Sequence, residues 1–207
     1  MGMDLYGLKP EGNEKPDVNW EDQEQVKAYF AWQDNTKGSY FRANIWFWRP
    51  LWEYVIVTCD DILTKKDIEN GFSNGGHKIS KTKSLKLAKR LDELLKTKAV
   101  ALYEKLYKKE LSEIPDIECF CCKGTGVRKG WEGWQSKKDW LKHHPSLKET
   151  PTGNVQVSYK WANECKGCNG CICTGKQKDT RTMYPFKEEV VKDFYEFCKH
   201  SNGFTIC

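Results

Sequence analysis

Three cysteines fall within four positions of the stretch ECFCCKGTGVRKG, residues 118–130. Cys119 and Cys122 have CxxC spacing, and Gly124 and Gly126 follow them. A metal knuckle turns the chain tightly so that backbone N–H groups face thiolate sulfur, and glycine permits the positive φ this requires. A second cluster, ECKGCNGCICTGK, repeats the spacing with Cys165 and Cys168, followed by Gly170. Its register is open, because Cys168 and Cys171 followed by Gly175 fit as well. Two CxxC pairs complete a tetrahedral four-thiolate site, the arrangement of structural Zn2+. The expected ligands are Cys119, Cys122, Cys165 and Cys168. Four thiolates leave no open position, so catalysis at the metal is not expected. A redox CxxC would want a βαβ context that is missing here. Cys121, Cys171 and Cys173 are then left over, as solvent-facing thiols or as a second partial site with His143 or His144. Cys59, Cys198 and Cys207 read as small buried hydrophobes.

Two other stretches carry binding chemistry. FRANIWFWRPLWEYV holds Arg42, Asn44, Trp46, Trp48, Arg49 and Trp52. In a strand, Trp46 and Trp48 share a face continued by Asn44 and Arg42. Indoles there would stack a base while Arg42 and Asn44 hydrogen-bond it. The competing reading is that the tryptophans fill the core. GFSNGGHKIS, residues 71–80, precedes a helix whose first turn holds Lys81 and Lys83. Backbone N–H groups at a helix N-terminus attract anions. A phosphate would sit near Gly75, Gly76, Ser80 and Lys81 with His77 as donor, and Lys83, Lys86, Lys89 and Arg90 would extend a basic face. Its bland counterpart is a polar surface loop. No HExxH, nucleophile elbow, Walker or GxGxxG pattern is present. Binding is therefore expected rather than catalysis. An enzyme acting on a nucleotide or phosphodiester through His77 is the alternative.

The elements that must position these residues follow from periodicity. Residues 3–7 read as a strand. Asn19 caps a helix carrying Trp20, Val26, Tyr29, Phe30 and Ala31. YFRANIWFW is aromatic-rich and β-prone. Pro50 suits the first turn of the next helix, about 50–64, with Leu51, Tyr54, Val55, Cys59 and Ile62 on one face. Helices follow at about 81–97, with Leu87, Leu91, Leu94 and Leu95, and at about 99–111, with Leu102 and Leu106. A last helix, about 186–200, faces inward with Val190, Val191, Phe194 and Phe197. The closing FTIC would complete a sheet or the core. The expected fold is α+β, a mainly helical body with a short sheet. Residues 1–115 and 184–207 form that body, and 116–183 form an inserted zinc-knuckle lobe.

Charge is uneven along the 207 residues: −5 over 1–70, +7 over 71–110 and +3 over 111–207. The middle segment suits an acidic partner. The N-terminal stretch lacks a signal-peptide pattern, and no apolar run is long enough to span a membrane. The expectation is a soluble cytoplasmic protein with reduced thiols and no membrane partner.

Cys119-x-x-Cys122-x-Gly124-Thr125-Gly126 resembles the knuckles in the cysteine-rich zinc domain of J-domain chaperones. That family carries four such motifs and an HPD-bearing J-domain, neither of which occurs here. A second resemblance covers MGMDLYG at 1–7, SYFRANIWFWRPLWEY at 39–54, GFSNGGH at 71–77, the CxxCxGTG knuckle, YPF at 184–186 and GFTIC at 203–207. These are similar to a family of small uncharacterised phage and prophage proteins with an MGMDVYG-type start, a FRNNVWWWRPLW-like segment and two CxxCxGxG knuckles. Residues 11–36 stand as an insertion, and Gly-Gly-His replaces acidic residues usual in the loop.

The resemblance implies a phage-related protein of the host cytoplasm. The expected role is a zinc-binding accessory protein, an inhibitor of host defence that captures a nucleotide or nucleic acid through Arg42, Asn44, Trp46, Trp48, His77 and Lys81. The alternative is a protein–protein inhibitor of a host factor, anchored by Trp131, Trp134 and Trp140.

Overall fold

The computed structural model describes residues 2–125, 171 and 174–207. Two compact units divide the chain: Met1–Ser112 with Met183–Cys207, and Glu113–Thr182. The fold is α+β, with six helices, a four-stranded antiparallel sheet and a two-stranded one among the described residues.

In the first unit, four strands pair into one antiparallel sheet. β1 (Gly2–Gly7) pairs with β2 (Tyr40–Asn44) on one edge and with β6 (Phe204–Ile206) on the other. β6 in turn pairs with β3 (His77–Ile79). Period-two alternation turns Met3, Leu5, Phe41, Ala43, Ile79, Phe204 and Ile206 to one buried face. FTIC therefore completes both the sheet and the core.

Helices cover that face. α2 (Ile45–Thr58) packs against β1 and β2, and α4 (Lys81–Lys96) lies along α6 (Glu188–His200). Small residues let α4 and α6 approach closely: Ala88 is buried, and Ser84 Oγ donates to the Cys198 carbonyl at 2.7 Å. Cys59 and Cys198 are buried core residues, and burial pushes both thiols up.

Four sequence expectations change. The YFRANIWFW segment, 40–48, is not one strand. β2 stops at Asn44, whose side-chain oxygen accepts from the Trp46 amide at 3.1 Å and caps α2. The helix thus starts five residues before Pro50, which lies inside it, and ends at Thr58. Asp22, not Asn19, caps α1 (Gln23–Asn35). α3 (Lys65–Asn70) is an additional helix, fixed by a capping box between Thr64 and Asp67. In α5 (Ala99–Glu113), Leu102 and Leu106 are exposed. Val100, Tyr103 and Tyr107 face the core instead, the two tyrosines around Phe186.

Trp48 and Trp52 sit one helical turn apart and stack, with ring centres 5.3 Å apart. Each indole N–H is satisfied: Trp48 donates to the Gly71 carbonyl at 2.8 Å and Trp52 to that of Ile68 at 3.3 Å. Gly71 lies so close to this stack that an added Cβ would stand 2.1 Å from the Trp52 ring. Gly71→Ala is expected to destabilise the protein by about 2 kcal/mol or more through overpacking. The urea midpoint of unfolding measures this, with exposed Gly75→Ala as the control.

Candidate functional site

The second unit is organised around sulfur. β4 (Ile117–Glu118) pairs antiparallel with β5 (Lys176–Gln177), so the chain on either side of a long excursion is brought together. The Cys119 amide donates to the Gly175 carbonyl at 2.8 Å just beyond this ladder. Cys119, Cys122 and Cys171 are buried, and their Sγ atoms all lie within 4.8 Å of one another. Cys122 Sγ and Cys171 Sγ are 3.7 Å apart. These three residues form a group able to hold a metal ion.

The turns after Cys122 and Cys171 are built alike. Thr125 N–H donates to the Cys122 carbonyl at 3.1 Å, and Thr174 N–H to that of Cys171 at 3.0 Å. Each threonine hydroxyl donates to the same carbonyl, at 2.7 and 2.6 Å. The positive φ expected of knuckle glycines occurs at Gly124 and Gly175, and Lys123 adopts it as well. The Gly175 amide donates to Cys171 Sγ at 3.3 Å. Cys171 thus takes a place in the cluster that the first pairing left unassigned. The signal was the Thr-Gly echo, Thr125-Gly126 and Thr174-Gly175. Cys165, Cys168, Cys173, His143, His144, Trp131, Trp134 and Trp140 lie outside the described residues.

The six residues expected to capture a nucleotide are not gathered into one pocket. Trp46 and Trp48 are two apart on a helix, which turns them about 200° from each other. Trp48 is fully buried in the core, so it offers no face to a ligand. Trp46 is half-buried against Tyr184, with ring centres 4.8 Å apart, and Arg49 donates to the Tyr184 hydroxyl at 2.9 Å. Asn44 is spent on the α2 cap. Arg42 lies on the outer face of the sheet, 3.6 Å from Asp4. His77 is in register with buried Ile206, on the opposite face from Arg42. Lys81 is exposed in the first turn of α4.

His77 belongs to a network that sequence reading missed. Asp67 is buried and accepts from His77 Nε2 at 2.8 Å, Thr64 N–H at 2.8 Å, Thr64 Oγ1 at 2.6 Å, and Lys83 Nζ. Burial alone would push this carboxyl up. Hydrogen bonds from Lys83, Thr64 and His77 outweigh it and hold the group well below the usual carboxylate range. The network joins α3, β3 and α4. The only signal was Thr-x-x-Asp at 64–67, a capping-box pattern.

The outward face of α4 remains basic. Lys81, Lys86 and Lys89 are exposed and have no carboxylate partner among the described residues. Arg90 is held at 2.6 Å by the Thr58 carbonyl and at 3.0 Å by Asp61. An open cleft of about 200 Å³ runs beside it, lined by Asp61, Ile62, Lys86, Lys89, Arg90 and Glu93. No described helix is long and apolar enough to cross a membrane. Comparison with protein-family models, curated proteins and solved structures finds no match for this chain.

Proposed function

We propose that the chain is a zinc-stabilised binding protein whose helical body takes a nucleotide or nucleic-acid ligand through its phosphates. The observation that carries the metal half is the convergence of three buried cysteine sulfurs from two sequence-distant turns. Their donor set fits zinc. The tetrahedral edge for Zn–S bonds of ~2.3 Å is about 3.8 Å, and the Cys122–Cys171 separation is 3.7 Å. Matching the turns residue for residue sets Cys122 against Cys171 and therefore Cys119 against Cys168. Cys168 is the fourth thiolate in this reading, in place of Cys165. Zinc bound by four thiolates is closed to substrate and serves to hold the fold.

The ligand half rests on the unpaired lysines of α4. They stand where sequence put the basic segment; of the two tryptophans expected in the same site, Trp48 lies in the core and Trp46 packs on Tyr184. The motif resemblance adds the setting: a phage accessory protein of the host cytoplasm, acting against a nucleotide- or nucleic-acid-based defence. Fluorescence anisotropy with a short labelled single-stranded oligonucleotide tests it. Replacing Lys81, Lys86 and Lys89 together by alanine is expected to weaken binding at least about tenfold. It also lowers the slope of log affinity against log salt by roughly 2, as three phosphate contacts require. Unchanged affinity and slope in the folded variant would remove α4 as the interface.

A further inference from the structure

Lys15 is exposed and makes no ion pair among the described residues, although residues 10–36 carry seven carboxylates against two lysines. Its ammonium sits instead between two aromatic rings. Nζ lies 5.3 Å from the ring centre of Tyr29 on α1 and 5.6 Å from that of Tyr6 on the outer face of the sheet. Further rings surround these two. Tyr40 is 5.2 Å from Tyr6, while Trp20 and Trp32 are 5.4 and 5.8 Å from Tyr29. Trp20 and Phe30 are 62% and 50% exposed at the edge of the cluster.

We infer that this aromatic cluster is a docking site for a lysine or arginine side chain of a basic partner peptide, and that Lys15 fills it in cis. Ring faces within about 6 Å attract a cation through their quadrupoles. Lys15 places an ammonium within 5.6 Å of two ring centres, with no carboxylate paired to it among the described residues. The surrounding segment has a net charge of −5, which draws a cationic peptide and repels an acidic one. Exposed Trp20 and Phe30 offer the apolar contact that anchors such a peptide once Lys15 swings aside. The occupant differs in sign from the ligand of α4, so the two surfaces are independent.

The test uses the intact zinc-loaded chain and a blocked peptide of alternating lysine and glycine, with binding followed by calorimetry. Lys15→Ala is expected to bind the peptide about threefold to tenfold more tightly than the wild type, because the internal competitor is gone. In the Lys15→Ala background, Tyr6→Leu returns binding to a weak level and Tyr6→Phe, which keeps the ring, retains it. Acetylating the peptide lysines abolishes binding. Circular dichroism confirms that each variant is folded. The proposal is overturned if Lys15→Ala binds no better than the wild type, if the acetylated peptide binds equally well, or if Tyr6→Leu has no effect. Those results would leave Lys15 as a pin for its own loop.

Discussion

Cys122→Ser is expected to reduce the zinc carried by the purified chain from about one ion to near zero, and to unfold the second unit while the helical body persists. Among the described residues of that unit, the buried apolar cluster is Cys119, Cys122 and Cys171, with Cys121 packed against them. Among its described residues no leucine, valine or phenylalanine core replaces them. In the zinc reading proposed above, the metal supplies the folding free energy of this unit; structural zinc contributes about 10–16 kcal/mol in comparable small sites. Serine retains the size of cysteine but is a poor ligand. The first unit has a core of its own around Trp48, Trp52, Leu91 and Phe194, so helical circular dichroism survives. Native mass spectrometry before and after denaturation gives the zinc content, and limited proteolysis locates the unfolded region. Cys207→Ser, distant in sequence from both knuckles, is the control and keeps its metal. A Cys122→Ser protein that still held one zinc would refute the site.

Asp67→Asn is expected to cost about 3 kcal/mol at neutral pH, because it leaves Lys83 without its buried counter-charge. The pH dependence carries the signature. The folded-state pKa of Asp67 is depressed by its donors, so its stabilisation is fully present above the unfolded carboxylate range, near pH 4. It is lost as pH falls from there toward the folded value. The gap in urea midpoint between wild type and Asp67→Asn should therefore be widest at pH 6–7 and shrink below about pH 4. A gap that stayed constant with pH would mean that asparagine disturbs packing and that the charge is immaterial.

Sequence made some of this fold legible and hid the rest for identifiable reasons. α4 and α6 were readable because Leu87 and Leu91, and Val191, Phe194 and Phe197, recur at helical spacing beside polar neighbours. Residues 45–49 were not, since aromatic and β-branched residues favour strands locally. Burial of the Trp48–Trp52 stack, together with the Asn44 cap, decides for helix. Exposed Leu102 and Leu106 misled because two tyrosines one turn apart, Tyr103 and Tyr107, hold the neighbouring face. At the cysteine site, the donor type was plain from CxxC spacing. The inclusion of Cys171 was not, because overlapping CxxC registers are equivalent until the Thr-Gly turns are compared. Asp67 carried only a local capping signal. Its burial beneath His77 and Lys83 depends on contacts between elements that periodicity does not report.

The place of β6 between β1 and β3 bears on how the chain is made. A ribosome adding about 5–20 residues each second needs roughly 10–40 s to travel from β1 to β6. Through that interval β1 has β2 as a hairpin-like partner, while its other edge and the whole of β3 have no strand to pair with. Leu5 and Ile79 wait on Phe204 and Ile206 for their neighbours in the sheet. Throughout that interval the nascent chain exposes an open strand edge, the feature that templates pairing with another chain.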